Sequence, residues 1–586
     1  MTNIINDLTK IVSKAFEECG YDKSLGTVSV SDRLDLCQFQ CNGAFAGAKQ
    51  YKKAPFMIAE EVAQKISGNK IFKFVQMVKP GFINITLKDE EILKKAEEIA
   101  EDVNLGVPQA ENPETIVLDY GGANVAKPLH IGHLRSAIIG ESLKRIARSM
   151  GNKVISDVHL GDWGLQIGLV IAELMVRNPD WVCFSPDFDP DKDKVNPINV
   201  DELNEIYPFA SQKSKVDEAF KEKARAVTAE LQSGHKGYIA VWKEIMRVST
   251  KDLKENYGKL FVDFDLWYGE SDADKYVDEL LDVLNKKGII HESDGAMVVD
   301  VEEETDKAAV PPVIIKKSDN SNIYATTDLA TIIQRQKDFA PDRIWYVVDK
   351  RQGLHFTQVF RCAKKAGIVP EDTELTHLGI GTMNGKDGKP YKTRDGGVMR
   401  LSDLLNTVIE AAYEKMSDGN FESDEEKREA AEKVAIAAVK FGDLSNHISK
   451  EYIFDIDKFL SFEGKTGTYL IYTVTRINSI LRNLGVDDSQ QMTFNGVYSD
   501  IERELLLNII LSGEAFKHAL QDRAPSVICD NAYRLASLFS TFYHDNHIMG
   551  ETNKDKQSTW ISLCILVRKL LLKHLDVLGI KAVERM

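Results

Sequence analysis

Long hydrophobic runs are missing from this chain. No apolar stretch approaches the ~18 residues that a membrane span needs, and the longest, such as Leu505 to Leu511, have the length of a helix or strand core. Cysteine is sparse as well, with seven among 586 residues. Cys37 and Cys41 form the only close pair, without the second pair or the His-x-His spacing of a zinc site. A disulfide-stapled domain is thereby excluded, and reduced, buried thiols in a cytoplasmic protein are expected. No repeat or low-complexity tract is evident, and no signal peptide is expected. At the N-terminus, Ile4, Ile5, Leu8, Ile11, Val12, Ala15 and Phe16 recur at helical period around Asp7, Lys10 and Lys14, which reads as an amphipathic helix. A composition of 43% apolar and 28% charged residues is that of a soluble globular chain of several domains.

An excess of positive charge is absent too. The net charge is −16, which by itself argues against nucleic acid. Its distribution weakens that argument: residues 1–110 carry net −1, residues 462–586 net zero, and the middle of the chain −15. From Lys49 to Lys79, seven lysines face two glutamates, a local +5. Phosphate contacts depend on local potential, so such a patch can hold RNA on an acidic protein.

What is present begins with a small α+β unit over 1–110. Helical patterns at 1–19 and 55–67 precede strands at 72–78 and 82–87, with a turn at Lys79-Pro80-Gly81 and an acidic helix near 89–103. At Thr115 the texture changes to a buried, continuous apolar strand ending in Asp119-Tyr120. A Gly-Gly loop, a helix from about 132 to 150 and a second strand at 153–158 come next, the opening of a parallel, nucleotide-binding sheet. Later strands are expected at 344–348 and 375–380, around a helix at 353–367. A mainly helical insertion fills 170–320, with a polar linker at 185–201 and a hairpin at 289–301. Beyond 402 only helical patterns remain. The domains expected are 1–110, a Rossmann-like catalytic unit over 111–400, a helical linker over 401–461 and a helical bundle over 462–586.

The chemically informative stretch is Asn124-Val125-Ala126-Lys127-Pro128-Leu129-His130-Ile131-Gly132-His133. Two histidines flank a glycine where a buried strand hands over to a helix, and the free N–H groups of a helix N-terminus form an anion site. Gly132 permits close approach, and two imidazoles can donate to phosphate oxygens. This tetrapeptide resembles the HIGH signature of the class I aminoacyl-tRNA synthetases. The wording from Asp119 to Pro128, with Leu134-Arg135-Ser136 after the signature, is similar to the arginyl family of bacterial type. So are His159-Leu160-Gly161-Asp162-Trp163-Gly164, Tyr324 to Ala330, Tyr346 to Asp349 with Gln352 and His355, and the closing Val583-Glu584-Arg585-Met586.

That resemblance implies a multidomain α/β protein: a class I Rossmann-like parallel-sheet core with a helical insertion, an N-terminal α+β domain that touches the tRNA corner, and an all-α anticodon-binding bundle. It implies an ATP-dependent, AMP-forming enzyme that makes arginyl-adenylate and transfers arginine to the terminal adenosine of its tRNA. Mg2+ accompanies ATP, and neither a tightly bound cofactor nor a protein-held metal is expected. The partners implied are L-arginine, ATP and arginine-accepting tRNA, with no membrane and a monomeric state. Guanidinium recognition falls on Tyr324 and Asp328, with Asp119 as an additional carboxylate. Gly122, Ala123, Asn124, His133 and Gln352 lie around the rest of the arginine. Elementary chemistry agrees, since a guanidinium is a fork of donors that needs carboxylates, and residues four apart on a helix share a face. A receptor built from acceptors rejects lysine without editing, so no proofreading site is expected in the insertion.

The second class I signature, KMSKS, departs from pattern here. The corresponding stretch, Gly388 to Gly397, retains Lys392 and Arg394 beside Gly396-Gly397, suited to gripping pyrophosphate, and Lys127 is an alternative source of that charge. Catalysis is thus expected from His130, Gly132, His133, Lys127, Lys392 and Arg394, with His130, His133, Lys392 and Arg394 on ATP. RNA contacts implied by the resemblance are Asn84 in the N-terminal unit and Tyr469, Tyr472, Arg476 and Met586 in the C-terminal bundle. Two rival readings share part of this pattern: a nucleotidylyltransferase with an HxGH motif, usually much shorter, and a non-catalytic RNA-binding relative of the synthetases.

Overall fold

The computed structural model describes residues 4–31, 33, 36–317, 323–389, 399–417, 421–487 and 490–586. By backbone packing the chain divides into two units, one of residues 1–109, 462–576 and 582–586 and one of residues 110–461 and 577–581.

The first unit contains a four-stranded antiparallel sheet, from Val28–Val30, Phe39–Cys41, Phe82–Leu87 and Phe72–Val78 in spatial order. Ile4–Glu18 and Pro55–Ile66 bury their apolar stripes, Leu8, Val12 and Phe16 on one and Ile58, Val62 and Ile66 on the other. The first two strands and the helix Gly43–Tyr51 are additions to the sequence reading. Strands of three residues are too short to show alternation, and a helix with two glycines carries little periodic signal. In the same unit four long helices, Gly467–Asn483, Asp500–Gln521, Pro525–Asp545 and Lys554–Val577, form the C-terminal bundle.

The second unit is built on β1 (Thr115–Asp119), α1 (Ile131–Ser149), β2 (Lys153–Asp157), α2 (Tyr324–Phe339), β3 (Arg343–Asp349), α3 (Gly353–Ala366) and β4 (Glu374–Ile380). The strands are all parallel, in the order β4-β3-β1-β2. β1, β2 and the middle of β3 are buried on both faces, which is why β1 and β3 read as continuous apolar runs, while the edge strand β4 is mostly half-buried. The chain leaves β1 for β2 on one side and later returns to β3 on the other. The point where the direction reverses lies between β1 and β3, where such sheets open a ligand crevice at their carboxyl ends. The helical insertion includes Leu165–Arg177, Val200–Val216, Glu218–Gln232 and Lys236–Lys259. Its hairpin, Ile290–Ser293 with Ala296–Val299, gains a third strand, Val313–Lys316. That strand is masked in the sequence by Pro311-Pro312 directly before it. Among the described residues, no helix is long and apolar enough to cross a membrane.

Candidate active site

A cavity of about 480 Å³ opens at the switch point. It is lined from β1 and its loop by Asp119, Gly122 and Asn124, from the helix entry by Lys127, His130, Gly132 and His133, and from the end of β3 by Gln352. Ser136 of α1 ties together the two strand ends that border the crevice. Its hydroxyl accepts from the Gly121 amide at 2.8 Å and donates to the Val347 carbonyl at 2.6 Å, joining the ends of β1 and β3. Gly122 has φ of +59°, a left-handed conformation that glycine adopts without strain. Ala123 and Asn124 pair with Gly161, whose amide donates to the Ala123 carbonyl at 3.0 Å and whose carbonyl receives the Val125 amide at 3.1 Å.

The two histidines form a reciprocal cap. His130 is the N-cap of α1, and its Nδ1 accepts from the Gly132 amide at 3.0 Å. The His130 amide in turn donates to His133 Nδ1 at 3.1 Å. The rings lie 3.9 Å apart, centroid to centroid. Because both Nδ1 atoms accept, both protons sit on Nε2, and each ring keeps one N–H donor for a ligand. Burial lowers the pKa of His130 to about 4 and, reinforced by His130 and Lys127, that of His133 to about 3. Both rings are therefore neutral donors at pH 7. A Cβ on Gly132 would stand 2.8 Å from the His130 ring. Gly132→Ala is accordingly expected to displace that ring and lower kcat by roughly 10–100-fold, with little change in Tm; steady-state kinetics beside thermal unfolding check it.

Lys392 and Arg394 lie outside the described residues. The chain just C-terminal to them is fixed on the site: the Ile131 amide donates to the Met399 carbonyl at 3.1 Å, and the Leu401 amide to the Leu129 carbonyl at 3.0 Å. At Met399 and Leu401 the chain is thus hydrogen-bonded to the HIGH turn. Burial lowers the pKa of Lys127, whose side chain lines the cavity.

Tyr324 and Asp328 stand one turn apart at the start of α2, outside the lining of that cavity. Tyr324 is 65% exposed. Asp328 Oδ2 lies 2.6 Å from His355 Nε2 of α3. Near them is a carboxylate the sequence reading missed, Glu270. Its turn is tied to the His159–Gly164 block: Asp162 accepts from the Ser271 amide at 3.1 Å and hydroxyl at 2.6 Å, and the Glu270 amide donates to the Leu160 carbonyl at 3.0 Å. Burial first, then the charges of Asp162 and Asp328, push the Glu270 carboxyl up to about 7 against the pull of His159. Among the described residues its side chain has no ion-pair or hydrogen-bond partner except the Trp163 amide. Asp119 is engaged within the protein, with Oδ2 2.6 Å from Nη2 of Arg335.

In the bundle, Tyr469 is used internally, its hydroxyl 2.9 Å from Ser540 Oγ. Arg476 donates to the Tyr472 hydroxyl at 2.7 Å and lies over the rings of Tyr472 and Tyr543. It faces a cavity of about 590 Å³ with Tyr543, His544, Asn546 and His547. None of these four was singled out by the sequence reading. Asn84 accepts from Gln40 Nε2 at 2.8 Å across two paired strands. Met586 is half-buried.

A parallel sheet whose switch-point cavity is capped by paired HIGH histidines, followed by a helical bundle, defines a class I aminoacyl-tRNA synthetase. Comparisons specify the member. The model of the class I (R) tRNA synthetase catalytic domain matches residues 96–456, that of the DALR anticodon binding domain 470–586, and that of the arginyl tRNA synthetase N terminal domain 3–87. The arginine–tRNA ligases of Alkaliphilus oremlandii and Agathobacter rectalis are 51% and 49% identical, each over 100% of both chains. The arginyl-tRNA synthetase structure from Thermus thermophilus covers all of both chains with a TM-score of 0.81 at 22% identity, a likeness of fold. The chain belongs to the arginyl-tRNA synthetase family, and it is an enzyme that ligates arginine to tRNA.

Proposed function

We propose that arginine lies with its carboxylate and α-ammonium in the switch-point cavity and its guanidinium toward Tyr324, Asp328 and Glu270. The observation that carries this is the separation of the two sets of carboxylates. Asp119 stands in the cavity with Asn124, His133 and Gln352, while Asp328 and Glu270, near enough for the charge of Asp328 to raise the Glu270 carboxyl, stand outside its lining. An always-charged fork of donors suits the second set, and the carboxylate end must reach the nucleotide at the first. ATP binds over the HIGH turn. The arginine carboxylate attacks the α-phosphorus, and the bond to pyrophosphate breaks. His130 and His133 donate from Nε2 to the phosphate oxygens as charge develops there, and Lys127, Lys392 and Arg394 stabilise the leaving pyrophosphate. Positioning and preorganised donors carry such a step without a covalent nucleophile. The terminal ribose hydroxyl of tRNA then attacks the mixed anhydride and releases AMP.

Mg2+ is proposed to arrive on ATP. The nucleotide's phosphates would supply its ligands, as is usual for this ion. We assign residues 1–110 to the tRNA corner through Asn84, 111–400 to catalysis, 401–461 to the stem region, and 462–586 to the anticodon. There Arg476 and Tyr543 offer stacking surfaces to a splayed base, with Tyr472 beside Arg476, and Met586 is proposed as a further RNA contact. Action in the cytoplasm is proposed because cysteines are few and six of the seven are buried, which suits a reducing compartment, and a monomeric state is proposed with it. The test is ATP–pyrophosphate exchange with and without cognate tRNA, using lysine and citrulline as controls. Arginine-dependent exchange is expected. Exchange with lysine at comparable KM would refute the receptor, and its absence with every amino acid, tRNA still bound, would favour a non-catalytic relative.

A further inference from the structure

Asp119 and Asp157 are register partners on β1 and β2, and Tyr346 on β3 is the partner of Asp119 on the other side. Residues in register on neighbouring parallel strands point to the same face of the sheet. Two carboxylates so placed repel, and one would take up a proton. Arg335 of α2 prevents this. Its Nη2 lies 2.6 Å from Asp119 Oδ2 and 2.8 Å from Asp157 Oδ2, and its guanidinium carbon lies 5.3 Å from the Tyr346 ring centroid. The side chain is 1% exposed.

The two carboxylates are not equivalent. Asp157 Oδ1 accepts the amides of His159 and Tyr268, each at 3.3 Å, and His159 Nδ1 stands 3.7 Å from Oδ2. Burial alone would raise Asp157, but His159 and Arg335 hold it at about 2. Among the described residues Asp119 has only the Arg335 bond and leaves Oδ1 uncommitted, and it lines the switch-point cavity. Burial pushes Asp119 up, with Arg335 the largest opposing influence and His159 the next. Arg335 also shares α2 with Tyr324 and Asp328. Spacings of seven and eleven residues place all three on one side of that helix.

We propose that Arg335 is a positioning residue that sets the direction in which arginine binds. It keeps Asp119 ionised with one oxygen free for the substrate α-ammonium. Because a guanidinium of the chain already occupies the other oxygen, it denies Asp119 to the substrate guanidinium. The same contact ties the helix bearing Tyr324 and Asp328 to the end of β1. This role rests on the orientation proposed above for bound arginine.

The experiment uses full-length R335M, R335K and R335M/D157N in tRNA-supported pyrophosphate exchange, with thermal unfolding alongside. Expected for R335M is an arginine KM raised by roughly 10–100-fold with ATP KM within about twofold. The groups facing Asp119 are then Asp157, Tyr346 and the imidazole of His159, raised to about 9 and so still a cation, with Glu270 and Asp328 beyond them, and Asp119 takes up a proton more readily than in the wild type. The arginine KM of R335M should accordingly keep falling as pH rises from 7 to 8.5, where the wild type has reached its plateau. Removing the like charge in R335M/D157N should recover part of the loss, and R335K, which keeps one charge without the fork, should lie between. If R335M does not fold, the pH dependence of arginine KM in R335K decides. An unchanged arginine KM, an equal loss of arginine and ATP binding, or no recovery in the double variant overturns the proposal. Failure of arginine-dependent exchange in the wild type would instead strike the functional reading.

Discussion

Alanine at His130 or at His133 is expected to lower kcat for adenylate formation by on the order of 10²–10³, the loss expected on removing one preorganised donor to a developing charge. Arginine affinity should change little. The tautomers are the reason. Each Nδ1 is consumed by a backbone amide, so each Nε2–H is fixed toward the ligand before ATP arrives and costs no reorganisation during the step. The His130 variant additionally loses a helix cap, about 1 kcal/mol. His130→Asn should therefore restore the Tm, since asparagine caps well, while recovering only part of kcat. Pre-steady-state adenylate formation separates these effects. Equal losses in arginine Kd and kcat would show that the rings hold arginine rather than phosphate. Because burial places both histidines at about 4 and 3, neither should contribute a titration to the profile between pH 6 and 8.

The HIGH turn was legible in the sequence because everything that builds it is local. A buried strand, a glycine loop, two histidines and a helix succeed one another within Thr115 to Ser149, and the cap closes between residues three apart. The parallel sheet was legible for a related reason, its strands being continuous apolar runs separated by helical patterns. Glu270 and Arg335 were not. Arg335 meets Asp119 across 216 positions and Asp157 across 178, and in the sequence it is one more cation in a helix. Glu270 opens a one-turn helix of the insertion, Glu270–Ala273, with no periodicity or spacing to distinguish it. Its place is set by the hydrogen bonding of its turn to Leu160 and Asp162, residues about a hundred positions earlier. Asp119 shows the same limit from the other side. Its position at a strand end was readable, while the guanidinium that already pairs with it, and so decides which end of the substrate it meets, was not.

Glu270 carries the second large effect. Glu270→Gln is expected to raise arginine Kd by on the order of 10²-fold, the scale of a lost charge-assisted contact in a site built for a guanidinium, and to leave ATP binding nearly unchanged. The pH dependence gives a sharper signature. In the free protein the carboxyl sits at about 7, held up by burial and by Asp162 and Asp328. An arriving guanidinium favours the ionised form, so its pKa must fall in the complex and binding must release a proton. Above pH 7, then, arginine meets a carboxylate and affinity is at its plateau, while below pH 7 affinity falls toward tenfold per pH unit as the free enzyme protonates. Near pH 7 about half a proton should be released for each arginine bound. Calorimetry in buffers of different ionisation enthalpy measures this directly, free of the titration of ATP. In the Gln variant the release should vanish and the affinity should become flat between pH 6 and 8. A wild-type affinity already flat over that range, or a proton release that survives the substitution, would place the guanidinium elsewhere and leave Asp328 with Tyr324 as its whole receptor.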